Sequence, residues 1–221
     1  MALRALLFDL DGTLLDTSGD LGGALNTLLA DHHREPLPLA QIRPHVSNGA
    51  NALVKLGFGN ELTDTQFAAL RQGLLGHYLD NIATHTRAFE GINDLISELA
   101  ARRIHWGIAT NKPWLYTQKL MPHFQFASPP AVTLCPDQVP QAKPAPDMLL
   151  LACSQIGCEV HEAIYVGDHA RDIECGQRAG MKTVAVGYGF TLSPDEHRQW
   201  QADHCVDHAS DIWPLLREYY L

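Results

Sequence analysis

The apolar positions of this chain fall into short blocks rather than one continuous stripe. Runs rich in β-formers occupy 5–10, 104–109, 131–134, 163–166 and 183–186, and residues 205–206 make a short further one. Polar turns follow these runs, and apolar positions at helical spacing come next, most clearly at 93–102, 146–156 and 171–179. Strands alternating with helices in this way predict an α/β fold with a parallel sheet covered on both faces. Pro146 suits the first turn of its helix, and Gly180 suits the end of its own, 171–179.

The rhythm has one large interruption. Between Asp11 and Ile104 no run reads as a buried strand, although the later strands return at the usual βαβ interval of roughly 30 residues. That interval reads instead as helices at 20–31, 39–56 and 63–82, with breaks at Pro36-Leu37-Pro38 and Gly57-Phe58-Gly59. A helical domain spanning 16–83, inserted into a core made of 1–15 and 84–221, is the simplest organisation. Linkers are expected near 16–18 and 84–89.

Composition narrows the function. The 221 residues include 16 Lys plus Arg against 25 Asp plus Glu, for a net charge of -9. Such a surface repels polyphosphate, so no nucleic-acid partner is expected. Any anionic ligand must then meet a local concentration of positive charge. No apolar run approaches the roughly 20 residues of a membrane span, so no membrane partner is expected either. The opening stretch, 1–9, has the length of a short signal segment but ends at acidic residues, and it reads better as a buried strand. Five scattered cysteines without a Cys-x-x-Cys pair argue for a reducing, cytoplasmic setting. The 12 histidines show no paired metal-ligand spacing, and His32-His33 reads as a solvated helix end.

Candidate chemistry collects at the predicted strand ends, where open α/β sheets bind ligands. Phe8-Asp9-Leu10-Asp11-Gly12-Thr13 places two carboxylates one residue apart before a glycine turn. The pair suits a nucleophile beside a metal, though Asp and Gly also end strands with no chemistry at all. Thr110-Asn111-Lys112-Pro113 follows the second run, and its hydroxyl and backbone N–H groups suit phosphate oxygens or a helix cap equally. Lys143-Pro144-Ala145-Pro146-Asp147 sets a lysine before a helix, where a solvated turn lysine is the alternative. Val166-Gly167-Asp168-His169-Ala170-Arg171-Asp172 ends the fourth run with two carboxylates four apart, which as a plain cap would form a surface ion pair.

Taken in order, Asp-x-Asp-Gly-Thr, Thr, Lys-Pro and Gly-Asp-x-x-x-Asp strongly resemble the four motifs of the haloacid dehalogenase-like hydrolase superfamily, across essentially the whole chain. The resemblance implies a Rossmann-like catalytic core with an α-helical cap inserted after the first motif. Within the superfamily the chain looks most like the phosphoglycolate phosphatase group. Stretches such as Cys135-Pro136-Asp137 and Arg171-Asp172-Ile173-Glu174 also resemble N-acetylmuramic acid 6-phosphate phosphatases.

The resemblance and the chemistry imply the same roles. Asp9 is the expected nucleophile, forming an aspartyl phosphate, and Asp11 the acid and then the base. Mg²⁺ is expected on Asp9, the backbone carbonyl of Asp11 and Asp168, with Asp172 ordering its waters or Lys143. Thr110, the N–H of Asn111 and Lys143 would neutralise the phosphoryl oxygens, and Thr13 would brace the first loop. The presence of Asp11 fits an alkoxide leaving group, which needs a proton as a halide does not. Arg43, Asn48 and Gly49 lie in a stretch resembling the family's cap loop and are candidates for substrate choice, with an ordinary helix–helix turn as the alternative. Lys55 reads as a helix-surface lysine rather than a Schiff-base former.

The expectation is therefore a phosphatase acting on a small phosphate ester, 2-phosphoglycolate-like or a sugar phosphate, as a monomer or homodimer. A β-phosphoglucomutase-like phosphomutase shares all four motifs and stays open. A non-catalytic binding module is disfavoured because Asp9, Asp11, Lys143 and Asp168 are all present. A P-loop NTPase and a nicotinamide dehydrogenase are disfavoured because neither glycine-rich motif occurs.

Overall fold

The computed structural model describes residues 3–221; Met1 and Ala2, which the sequence assigns to the first core segment, lie outside the described residues. By internal contacts the chain divides into two compact units. One comprises the chain up to Leu15 together with Ala88–Leu221, and the other is Asp16–Arg87.

In the first unit, β1 (Ala5–Phe8) leads into the first acidic loop, and the two-residue strand β2 (Leu15–Asp16) closes it. The second unit then runs through α1 (Ser18–Asp31), α2 (Leu39–Ile42), a 3₁₀ segment (Arg43–Asn48), α3 (Gly49–Phe58) and α4 (Asp64–Asp80). Strand β3 (Arg87–Ala88) pairs with β2. The remainder of the first unit is α5 (Ile92–Ala101), β4 (His105–Ala109), α6 (Trp114–Leu120), β5 (Val132–Leu134), α7 (Asp147–Ile156), β6 (Ala163–Gly167), α8 (Ala170–Ala179), β7 (Lys182–Val186), β8 (His204–Val206) and α9 (Ile212–Tyr219).

The six longer strands form one parallel sheet in the order β5-β4-β1-β6-β7-β8. Strand β1 is central because Ala5-Leu6-Leu7-Phe8 is apolar on both faces and fully buried. Ala5 and Leu7 pack with Met148, Leu149 and Ala152 of α7. On the other face Phe8 meets the edge of the Trp106 ring, centroids 6.5 Å apart. Phe8 aligns with Ile108 of β4 and Val166 of β6, so the three chains leave the sheet at one level. After β1 the chain builds outward through β4 and β5, then crosses back to β6 on the other side. The strand order therefore reverses at β1, the point where such sheets open a crevice.

The second unit departs from the expected helices in one place. A single helix over 39–56 is not formed, because Pro44 starts a 3₁₀ turn and Gly49 takes φ +73°, a left-handed value that favours glycine. Elsewhere the ends shift by a residue or two. Thr63 stands outside α4 as its cap, its hydroxyl accepting from the Gln66 N–H while Gln66 accepts from the Thr63 N–H. Pro146 is likewise the residue before α7 rather than within its first turn. Asp20, buried in α1, accepts from the N–H of His85 at 2.6 Å, the N–H of Thr86 at 3.2 Å and the Thr86 hydroxyl. The unit's last segment is thereby stitched to its first helix. Strands β2 and β3 were not expected, since two residues are too short to carry an alternation signal.

Candidate active site

The site is built where β1, β4 and β6 end. Asp9 follows β1 directly; its N–H donates to the Val166 carbonyl at 2.9 Å, which carries the sheet pairing one residue past the strand. Its Oδ1 accepts from the Leu10 N–H at 2.7 Å and lies 2.9 Å from Lys143 Nζ. Lys143 is almost wholly enclosed. Its ammonium also meets Asp172 Oδ1 at 2.8 Å, the Tyr165 hydroxyl at 2.8 Å and the Ala109 carbonyl at 3.1 Å. Burial by itself would lower the lysine pKa, but the Asp172 and Asp9 carboxylates outweigh it and hold the ammonium well above its ordinary value. Burial pushes the Asp172 carboxyl up to about 6, with the Lys143 charge opposing the shift.

Asp168, just past β6, has both oxygens engaged. The Thr13 hydroxyl donates to Oδ1 at 3.2 Å and the Phe190 N–H to Oδ2 at 2.9 Å. Two glycines make room for it. A Cβ on Gly12 would stand 2.1 Å from Asp168 Oδ2, and one on Gly189 would stand 2.3 Å from Asp168 Cβ and 2.5 Å from the Gly12 carbonyl oxygen. Gly167 is needed too, since a Cβ there would come within 2.3 Å of Asp172 Cβ. Carboxylate oxygens of Asp9, Asp168 and Asp172 lie within 4.8 Å of one another. Three buried carboxylates against the Lys143 ammonium leave an excess of negative charge and an all-oxygen donor set. That donor chemistry fits a hard divalent cation. The Asp11 side chain stands outside this cluster and is paired elsewhere.

Thr110 is buried, and its Oγ1 accepts from the Lys112 N–H at 3.1 Å. Asn111 works through its side chain: Oδ1 accepts from the Lys143 N–H at 3.0 Å and Nδ2 donates to the Lys143 carbonyl at 3.1 Å. The loops after β4 and before α7 are thus fastened at two points. The sheet brings Asp9, Lys143, Asp168 and Asp172 together, with Thr13 bracing Asp168, and Thr110 stands just past the end of the neighbouring strand β4.

Arg43, Asn48 and Gly49 belong to the second unit. Arg43 lies 3.4 Å from Asp16 Oδ2, both side chains about one-third exposed. Asn48 precedes α3 without capping it by side chain, and Gly49 supplies the left-handed turn already described.

Four participants had no role in the sequence reading. Lys112, quoted only as part of its motif, turns inward and lies 3.0 and 3.2 Å from the two Asp11 oxygens. Tyr165 donates to the Ala109 carbonyl at 2.7 Å and packs against Lys143; a tyrosine in an otherwise apolar strand was the available signal. Gly189 and Phe190 support Asp168 from after β7, where nothing local marks them. Beside the cluster, His169 Nδ1 accepts from both the N–H and Nε of Arg171. Burial, and then the Arg171 charge, lower the histidine pKa to about 4.

A parallel sheet with a strand-order reversal and a carboxylate–lysine cluster at that point defines an α/β protein whose crevice is lined by acidic groups. The sequence pattern of the haloacid dehalogenase-like hydrolases matches residues 6–186, and the chain belongs to that family. It is 39% identical over 216 residues to an N-acetylmuramic acid 6-phosphate phosphatase of Pseudomonas aeruginosa, covering 98% of this chain and 96% of that one. It is 35% identical over 214 residues to a phosphoglycolate phosphatase of Xanthomonas campestris pv. campestris, covering 95% of each. A solved chain from Lactobacillus delbrueckii subsp. bulgaricus superposes with a TM-score of 0.86 at 26% identity, over 98% of this chain and 99% of its own. CbbY from Rhodobacter sphaeroides, solved with phosphate, gives 0.75 at 20% identity over 95% and 96%, a likeness of fold alone.

Proposed function

We propose that this chain is a Mg²⁺-dependent phosphatase that hydrolyses a small phosphate monoester, 2-phosphoglycolate-like or a sugar phosphate, through an aspartyl phosphate on Asp9. The observation that carries the reading is the Asp9 carboxylate, 2.9 Å from a buried lysine and clustered with Asp168 and Asp172 at the strand-order reversal. Asp9 and Asp168, with the Asp11 carbonyl, would hold the cation, which supplies positive charge against the phosphate dianion. Thr110, the Asn111 N–H and Lys143 meet the phosphoryl oxygens.

In the first half-reaction an Asp9 oxygen forms a bond to phosphorus as the ester P–O bond breaks. Asp11 gives its proton to the departing alkoxide. In the second, Asp11 takes a proton from water as the water oxygen bonds to phosphorus and the Asp9–phosphorus link opens. Inorganic phosphate leaves, and both carboxyls return to their starting states. We read 16–83 as the cap that chooses among esters, with Arg43, Asn48 and Gly49 as its candidate selectors. The support is its compactness and its place between the first catalytic loop and the next core segment.

A second reading, N-acetylmuramic acid 6-phosphate as substrate, is favoured by the 39% identity to the Pseudomonas aeruginosa relative. One screen tests both: phosphate release from 2-phosphoglycolate, N-acetylmuramic acid 6-phosphate and hexose phosphates, with Mg²⁺ or with EDTA. Activity that persists in EDTA would remove the metal from the mechanism. Isomer formation without phosphate release would make the chain a mutase. No helix among the described residues is long and apolar enough to cross a bilayer.

A further inference from the structure

The first unit carries two enclosed lysines at the site, and they serve different carboxylates. Lys143 stands on the nucleophile Asp9, which is the phosphoryl side. Lys112 stands on Asp11, whose proton goes to the leaving oxygen. Its backbone is held at both ends: the N–H donates to the Thr110 hydroxyl at 3.1 Å, and the carbonyl accepts from the Thr117 hydroxyl at 3.4 Å. Its side chain is 6% exposed, and Nζ reaches both oxygens of Asp11, at 3.0 and 3.2 Å. A lysine seldom occupies such a place without polar work to do there.

We infer that Lys112 is a specificity-determining residue that receives an acceptor oxygen on the carbon next to the ester carbon of the leaving group. The inference rests on the proposed phosphatase reading and deepens it. For proton transfer the ester oxygen must come within about 2.6–3.2 Å of an Asp11 oxygen. Lys112 Nζ already stands that close to both Asp11 oxygens, so ester oxygen and ammonium share one carboxyl group as neighbour. An oxygen joined to the ester oxygen through two carbons is therefore placed to meet Nζ. Two substrate types carry one: a carboxylate oxygen of 2-phosphoglycolate, and the ring oxygen of a hexose 6-phosphate. An ammonium binds the anionic acceptor more strongly than the neutral one, because attraction between two opposite unit charges adds to the hydrogen bond.

The test compares esters that need the same proton from Asp11 but differ in the second oxygen. Ethyl phosphate has none, 2-hydroxyethyl phosphate has a neutral one, and 2-phosphoglycolate has an anionic one; glucose 6-phosphate and N-acetylmuramic acid 6-phosphate present a ring oxygen. Initial rates give kcat and KM for wild type and Lys112→Met. The expected result is that Lys112→Met loses at least about tenfold more kcat/KM on an ester with the second oxygen than on ethyl phosphate, the scale of one charged hydrogen bond. The ester showing the extra loss identifies the source of the oxygen. Equal losses on every ester would overturn the inference and leave Lys112 acting only through Asp11. If the variant does not fold, the wild-type series decides: no preference over ethyl phosphate for any ester bearing the second oxygen refutes it. Failure of wild type to release phosphate from all five esters would instead sink the phosphatase reading itself.

Discussion

Replacing Lys143 by Met removes the cation that bridges Asp9 and Asp172, and its cost can be worked from the geometry. At 2.8 Å from Asp172 and 2.9 Å from Asp9, each attraction amounts to roughly 6 kcal/mol at an effective dielectric of about 20. Desolvation of the ammonium offsets much of this, because the side chain is 1% exposed. Met fills the space but leaves two carboxylates facing each other without their counter-charge. Breaking a buried pair in this way typically destabilises by about 3–5 kcal/mol. Urea unfolding at neutral pH in EDTA, followed by circular dichroism, measures the loss. On an Asp172→Asn background the same substitution should cost less, by about 1–3 kcal/mol, since one of the two stranded charges is gone. Mg²⁺ should recover part of the loss in the single variant, the cation supplying the missing charge. Additivity of the two substitutions within about 0.5 kcal/mol would refute the reasoning, because it would mean the two residues do not sense each other.

Asp9→Asn should lose essentially all turnover while still folding cooperatively; retention of wild-type phosphate release under conditions that exclude deamidation would exclude Asp9 as nucleophile. Asp11→Asn should impair ethyl phosphate far more than p-nitrophenyl phosphate, whose leaving group needs little acid assistance, as parallel initial rates would show. Gly189→Ala should cut kcat by at least about a hundredfold, since its Cβ would press on Asp168 Cβ and the Gly12 carbonyl, and a displacement of about 1 Å at a site has that scale. His169 titrates near 4 when folded against 6.5 unfolded, so between those values the unfolded chain binds more protons and folding stability falls as pH drops. His169→Gln removes that loss, so the stability difference between wild type and variant should shift in the variant's favour as pH falls from about 6.5 to about 4. Urea midpoints across that range measure it, and a pH-independent difference would count against it.

What was readable in the sequence followed the physics of each position. Strands β1 and β6 are buried on both faces, so they had to be continuous apolar runs, and their C-terminal carboxylates stood out against them. The helix expected over 39–56 came from apolar spacing that continues through Pro44 and Gly49; those two residues carried the break, and spacing alone outweighed them. Lys112 was in plain view, but a lysine after a strand turns inward or outward according to what lies opposite. Its partner, Asp11, is 101 residues away. Gly189 and Phe190 were invisible for the same reason: the need for a glycine there is created by Asp168, brought close only by the fold.

The two hydrogen bonds between the Asn111 side chain and the Lys143 backbone have a mechanical consequence. Thr110 and Lys143 lie on separate loops, 33 positions apart in the sequence, and each loop alone would be free to breathe. Asn111 gears them together, so a shift of the lysine drags the threonine loop with it. A phosphoryl group entering this site would meet one jaw rather than two fingers. The alignment is settled when the chain folds, and little of it is left to be arranged during each turnover.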